Sequence, residues 1–211
     1  MQNLRAQLYA FAFLSERRKF LGIAARYWIQ LGLMVLTCLW LWLQFWSQAA
    51  LTAALILLMN YLYATAARNN YAVFVEIPPD DFPKIDALKA NEKIAVHGTG
   101  TAVCGRKELR FILASGEVEL NVEDELEINL KTEDEQQLQQ LVMPEHVKSI
   151  QLGNLSLAGK SNPAVEAVFM LDKIQSGDVG ENQIHKIRKV TLSFESLTAA
   201  QAVFAFLSTG Q

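Results

Sequence analysis

The chain has 211 residues, a net charge of −3 and a mean hydropathy of +0.15, although 19% of its residues are charged. Such values coexist only if apolar and charged residues are segregated along the sequence. Two cysteines, Cys38 and Cys104, far apart in the chain, exclude a disulfide scaffold and suit a reducing compartment. The acidic balance after the apolar block speaks against a nucleic-acid partner, whose phosphates it would repel.

Residues 1–26 carry Arg5, Arg17, Arg18, Lys19 and Arg26 against Glu16 alone. Leu4, Leu8, Phe11 and Leu14 or Ser15 recur at helical spacing, followed by Phe20, Leu21 and Ile23. This predicts an amphipathic helix lying in a membrane interface, the alternative being packing against the soluble part.

No Asp, Glu, Lys, Arg or His occurs from Tyr27 to Ala67. One helix of these 41 residues would be about 60 Å long, twice the hydrocarbon thickness of a bilayer. The block is therefore expected to double back near Ser47-Gln48 as a transmembrane helical hairpin, residues 27–46 and 49–67. Trp40, Trp42, Phe45 and Trp46 crowd the turn, and Tyr27, Trp28, Tyr61, Tyr63 and Tyr71 mark the other ends, as aromatic belts do. Ser47-Gln48-Ala49 also loosely imitates a signal-peptide cleavage site, but a second apolar segment begins at that point. Two spans put both termini on one side, and Arg17, Arg18, Lys19, Arg26 and Arg68 make that side the cytoplasmic face of the inner membrane. Neither span contains an ionisable residue, so the hairpin reads as an anchor. Asn60 is a candidate contact for a partner helix.

Residues 68–91 read as a linker with an extended run at 71–77, the prolines Pro78, Pro79 and Pro83, and a short helix at 84–90. Residues 92–211 form a β-rich domain. Strands are expected at 93–103, 108–114, 117–122, 126–131, 147–157, 165–171 and 186–195, with turns at Cys104-Gly105, Ser115-Gly116 and 158–163 and a polar loop at 175–183. Thr132 and Glu135 at capping-box spacing predict a helix over 132–142, stopped by Pro144. A last amphipathic helix, 197–207, follows Ser196. The fold class is thus a helical membrane hairpin with a mainly β (α+β) cytoplasmic domain. Its order of seven strands and a carboxy-terminal helix resembles that of pleckstrin-homology-like barrels, a likeness of order alone.

His97 and Cys104 are the nearest pair of reactive types, but seven positions apart on one strand they point to opposite faces, unless a bulge at Gly98 or Gly100 intervenes. His146 and His185 are isolated, and no metal-ligand spacing occurs. His97-Gly98-Thr99-Gly100 lacks the third glycine of a dinucleotide loop and opens no helix; its glycines suit a bend in a sheet. Glu117, Glu119, Glu123, Asp124, Glu125, Glu127, Glu133, Asp134 and Glu135, offset by Lys131 alone, alternate with apolar residues as a solvated sheet face does. The functional alternative is a docking face for a basic protein, with Glu123, Asp124, Glu125 and Glu127 as contacts. Arg106, Lys107 and Arg110, and Lys186, Arg188 and Lys189, form smaller basic clusters that suit solubility or lipid headgroups.

The expectation is a non-enzymatic inner-membrane protein without cofactor, whose cytoplasmic domain binds protein partners as an accessory, scaffold or assembly subunit of a membrane complex. The alternative is a membrane-anchored lipid- or small-ligand-sensing domain.

Overall fold

A computed structural model of the chain describes residues 2–77, 92–104, 107–121, 125–171 and 186–209. The short helix expected at 84–90, the loop at 175–183, and Arg106, Glu123, Asp124 and His185 lie outside the described residues. The protein is α+β, with four α-helices and a large antiparallel sheet among the described residues. It divides into two compact units: Met1–Val73 with Ser156–Lys160, and Phe74–Leu155 with Ser161–Gln211.

The first unit opens with helix α1 (Gln2–Arg17). The helix is shorter than expected, because the chain then makes a two-stranded hairpin, β1 (Lys19–Phe20) and β2 (Ile23–Ala24), with Phe20 paired to Ile23. Its two-residue turn, Leu21-Gly22, has φ of 52° and 80°, the left-handed pair that a type I′ hairpin turn requires. Helices α2 (Ala25–Trp42) and α3 (Trp46–Arg68) follow. The reversal falls at Leu43, Gln44 and Phe45, with Gln44 at φ 62°, not at Ser47-Gln48, which lie inside the first turn of α3. Two polar rungs join the antiparallel helices: the Gln30 amide donates to Asn60 Oδ1 at 2.7 Å, and Thr37 donates to Thr52 at 2.8 Å. Such contacts contribute about 0.6–2 kcal/mol each where water is excluded.

Among the described residues, only Trp46–Arg68 is a helix long and apolar enough to cross a membrane, by length and composition. By itself this is weak support for membrane association. The 18 residues of α2 include Arg26 and Gln30, which lower their mean hydropathy.

The second unit is built on a sheet of order β3-β8-β9-β10-β4-β5-β6-β7. Strand β3 (Ala72–Glu76), within the expected linker, forms one edge beside β8 (Val147–Leu157). Strands β4 (Lys93–Cys104), β5 (Lys107–Leu120), β6 (Leu126–Lys131) and β7 (Gln137–Val142) form a meander. After a 3-10 turn, Pro144–His146, the strands β8, β9 (Lys160–Phe169) and β10 (Lys186–Ser193) form a second one. The last strand, β10, returns to the first of the meander, β4, pairing Val190 with Gly100.

Three local expectations are corrected. The helix over 132–142 is a turn followed by strand β7: the Gln136 N–H donates to Thr132 Oγ1 at 3.2 Å, and Glu135 is left-handed at φ 61°. From there Leu138, Gln140 and Val142 point inward and their neighbours outward, which is the period of a strand. Ser115-Gly116 is no turn either; β5 runs through it without a break. Gly116 is required there because a Cβ would stand 1.8 Å from the carbonyl oxygen of Asn129 on β6. Residues 158–163 shrink to the two-residue turn Ala158-Gly159, both with positive φ. The bend foreseen at Gly98–Gly100 is present: β5 inserts an extra residue opposite, with Leu113 at φ 55°, and Thr99 ties the bulge by donating to the Phe111 carbonyl at 3.1 Å.

The core lies between the inner faces of β4–β10 and helix α4 (Leu197–Ser208), which supplies Ala200, Val203 and Leu207. Ser196 caps α4, accepting from the Ala199 N–H at 3.1 Å. One buried polar side chain spans this interior. Gln140 of β7 accepts from the Ile187 N–H at 2.6 Å and donates to the Ile187 carbonyl at 3.4 Å. Ile187 sits where β10 slips register against β4, and the amide gives both of its backbone groups a partner there.

Gln140→Leu keeps the volume but orphans both groups of Ile187, and should cost about 1–3 kcal/mol of stability. Gly116→Ala forces β5 and β6 apart, with a comparable loss of about 2 kcal/mol or more. Urea denaturation of the full chain in micelles, followed by near-ultraviolet circular dichroism, reads both as lower midpoints.

Candidate binding surfaces

In the first unit, polar side chains gather where α1 meets the hairpin. Glu16, the only acid before Glu76, is bound by the guanidinium of Arg26 and by the hydroxyl of Tyr71. Arg26 also donates to the Tyr27 hydroxyl at 2.6 Å and lies over the rings of Tyr27 and Tyr63, 4.5 and 5.7 Å from their centroids. Ser15 and Tyr63 share a hydrogen bond of 2.7 Å, and Asn69 donates to Tyr9 at 3.1 Å. These bonds fasten α1 to the ends of α2 and α3. Sequence reasoning missed the cluster because its signal, one acid among five bases, looks like noise in a basic collar.

The surface around this cluster is apolar. Among the described residues, every exposed large apolar side chain lies between Leu4 and Tyr61, except Leu141 and Leu197. Helix α2 buries none of its residues, and α3 buries only Ala49, Thr52, Tyr63 and Ala66. Leu4, Leu8, Phe11 and Leu14, the stripe anticipated on α1, are exposed, whereas Tyr9, Ala12 and Phe13 are buried. Of the expected membrane-surface residues, Arg17, Arg18, Lys19 and Arg68 are exposed, and Arg26 is occupied by Glu16. Asn60 is exposed on α3, its carbonyl oxygen taken by Gln30.

In the second unit, the outer faces of β4–β7 carry rows of polar side chains. Pairing aligns Lys93, Glu119, Glu127 and Leu141 across four strands. Glu119 and Glu127 stand directly opposite each other, an arrangement that repels. Lys93 offsets it by bridging Glu117 at 3.4 Å and Glu119 at 3.5 Å, while Asn129 and Gln139 donate to Glu127 at 3.0 and 2.7 Å. Beside this row lies a shallow open groove of about 430 Å³, lined by Ser115, Gly116, Glu117, Asn129, Leu130, Lys131, Gln137 and Gln139. Amides and a carboxylate equip it to hydrogen-bond and to hold positive charge. Of the expected docking residues, Glu127 belongs to this row and Glu125 immediately precedes β6.

The reactive residues are not brought together. His97 is exposed on the outer face of β4, and Cys104 is half-buried at its far end, about 20 Å away at the rise of a strand. His146 is a structural residue, buried, with Nδ1 accepting from the Met143 N–H at 3.2 Å. Among the described residues no three His, Cys, Asp or Glu side chains are placed to hold a metal ion. Lys189 of the carboxy-terminal basic cluster pairs with Glu166 at 2.8 Å.

No known family matches the chain, and neither a search of curated proteins nor one of solved structures found a match.

The carboxylate of Glu119, and then that of Glu117, raise the pKa of Lys93 above the ordinary lysine value of 10.5. The stabilisation is therefore complete below the unfolded lysine pKa and is lost as pH rises through the higher folded one. Nuclear magnetic resonance titration of 13C-methylated lysines should give Lys93 a midpoint above the ordinary lysine value, and Glu119→Gln should lower it.

Proposed function

We propose that the chain is a non-enzymatic, multi-pass protein of a cell's inner membrane, held by α2 and α3 as a two-span hairpin with both termini in the cytoplasm. Its β domain, a pleckstrin-homology-like barrel in this reading, docks a protein partner, and the chain serves as an accessory, scaffold or assembly subunit of a membrane complex. The observation that carries the reading is the division of the apolar surface. Among the described residues the sheet unit exposes only Leu141 and Leu197 of its large apolar side chains, whereas α2 buries none of its residues. A soluble monomer rarely leaves so continuous an apolar surface in water. Burying α3 alone would leave its hairpin partner exposed, so the two helices enter lipid together. The exposed bases of the amino-terminal segment support the cytoplasmic orientation. The barrel is supported by the return of β10 to β4 and by α4 following the last strand.

Docking rests on the outer faces of β5–β7, where Glu117, Glu119 and Glu127 flank the amide-lined groove. A basic, hydrogen-bonding segment of another protein has the complementary chemistry. The groove is polar and open, which favours this over an apolar ligand and makes lipid or small-ligand sensing the second reading.

Reporters fused to the two ends should both appear on the cytoplasmic face; opposite faces would refute the two-span anchor. Gentle detergent extraction from native membranes should recover specific partners, and Glu117→Lys with Glu127→Lys should lower their recovery by about tenfold or more. Unchanged recovery of the same partners would remove the outer face from the proposal.

A further inference from the structure

We propose that the β1–β2 hairpin is a membrane-inserting tip that recognises anionic phospholipid, an inference that rests on the membrane reading above and adds a lipid class and a contact to it. A helix was expected to continue through this segment. Instead, three successive bases, Arg17, Arg18 and Lys19, lead into a tight turn that displays Phe20, Leu21 and Ile23 with 65, 77 and 48% of their surfaces exposed. Leu21 occupies a left-handed conformation at φ 52°, costly for a branched residue, with no buried contact to offset the cost. Apolar side chains in a turn of this kind are ordinarily replaced by Asn or Asp.

The tip is held rigidly. The Trp28 indole N–H donates to the Phe20 carbonyl at 3.0 Å, and the two rings pack edge to face with centroids 5.9 Å apart. This fixes Phe20 beside the first turn of α2, where Tyr27 and Trp28 are also exposed at the start of the apolar helix. That is the depth at which aromatic side chains meet headgroups.

Charge then selects the lipid. Glu16, the one acid of residues 1–75, is engaged by Arg26 and Tyr71. Arg17, Arg18 and Lys19 are exposed, with the Arg17 guanidinium 4.6 Å from the centroid of the Phe13 ring. The surface they present is positive and adjoins an apolar wedge, the complement of a phospholipid layer bearing net negative charge. A soluble acidic protein would match the bases but not the apolar tip.

The test uses the full chain with Cys38→Ser and Cys104→Ser, labelled through Leu21→Cys with an environment-sensitive dye and reconstituted into vesicles. Met34→Cys, an exposed position on α2, serves as the lipid-depth reference. In vesicles containing about one-third phosphatidylglycerol, the Leu21 label should be quenched by nitroxide lipids and shielded from iodide. Each basic residue near the surface should favour the inserted tip by about fivefold over pure phosphatidylcholine. Substituting Arg17→Gln, Arg18→Gln and Lys19→Gln together should abolish the difference between the two vesicles. A Leu21 label open to iodide while the Met34 label is quenched by lipid would overturn this inference and leave the anchor standing. Both labels open to iodide would overturn the anchor as well. A lipid-charge dependence that survives the triple substitution would refute the role of the bases.

Discussion

Apolar side chains on α2 and α3 have too little protein to pack against, and the fate of the amino-terminal unit depends on that shortage. A helix satisfies its own backbone hydrogen bonds, so it tolerates hydrocarbon, but its side chains tolerate water only if they are few or polar. Burial in an apolar phase is worth about 25 cal/mol for each Å² removed from water. The sheet unit obtains this by folding, around Phe111, Ile128, Leu138 and Leu192. The hairpin has no comparable interior. Its helices share a few small residues and two polar rungs, Gln30–Asn60 and Thr37–Thr52, which set register without hiding the outward side chains. Under the proposed reading, lipid completes what the protein leaves open.

The polar cluster at Glu16 follows from the same circumstance. If the hairpin lies in an apolar phase, as proposed, α1 needs a fastening that does not depend on expelling water. A carboxylate bound by Arg26 and Tyr71, with Ser15 on Tyr63 and Asn69 on Tyr9, provides directional bonds instead. The pairing also offsets the charge of Glu16 within the first unit.

Sequence patterns located the elements whose alternation is uninterrupted. Leu126–Lys131 and Val147–Leu157 were expected with their observed bounds: in the first, apolar residues fall at every second position, and the second runs from the stop at Pro144 to the turn at Ala158-Gly159. Strand β7 was misread as helix for two reasons. Thr132 and Glu135 have the spacing of a capping box, which a tight turn with a left-handed Glu135 also satisfies. Its middle inward residue is Gln140, whose purpose is a bond to Ile187, and no local window reveals so distant a partner. Gly116 misled in the same manner: glycine marks turns, yet here it marks the close approach of Asn129. The polar groove likewise exists only once β5, β6 and β7 lie side by side. Its residues carry no motif along the chain.

The pairing of β4 with β10 has a consequence for how the protein is made. Gly100 finds its partner only when Val190 has been synthesised, and α4, which covers the core, comes later still. The meander β4–β7 must therefore wait at the ribosome with its inner face unprotected, while the amino-terminal helices have long since emerged. Contacts so distant in the chain form slowly, and half-built sheets with open edges aggregate readily. Early delivery of the hairpin to a bilayer would tether the growing domain and keep neighbouring unfinished copies from colliding freely in solution.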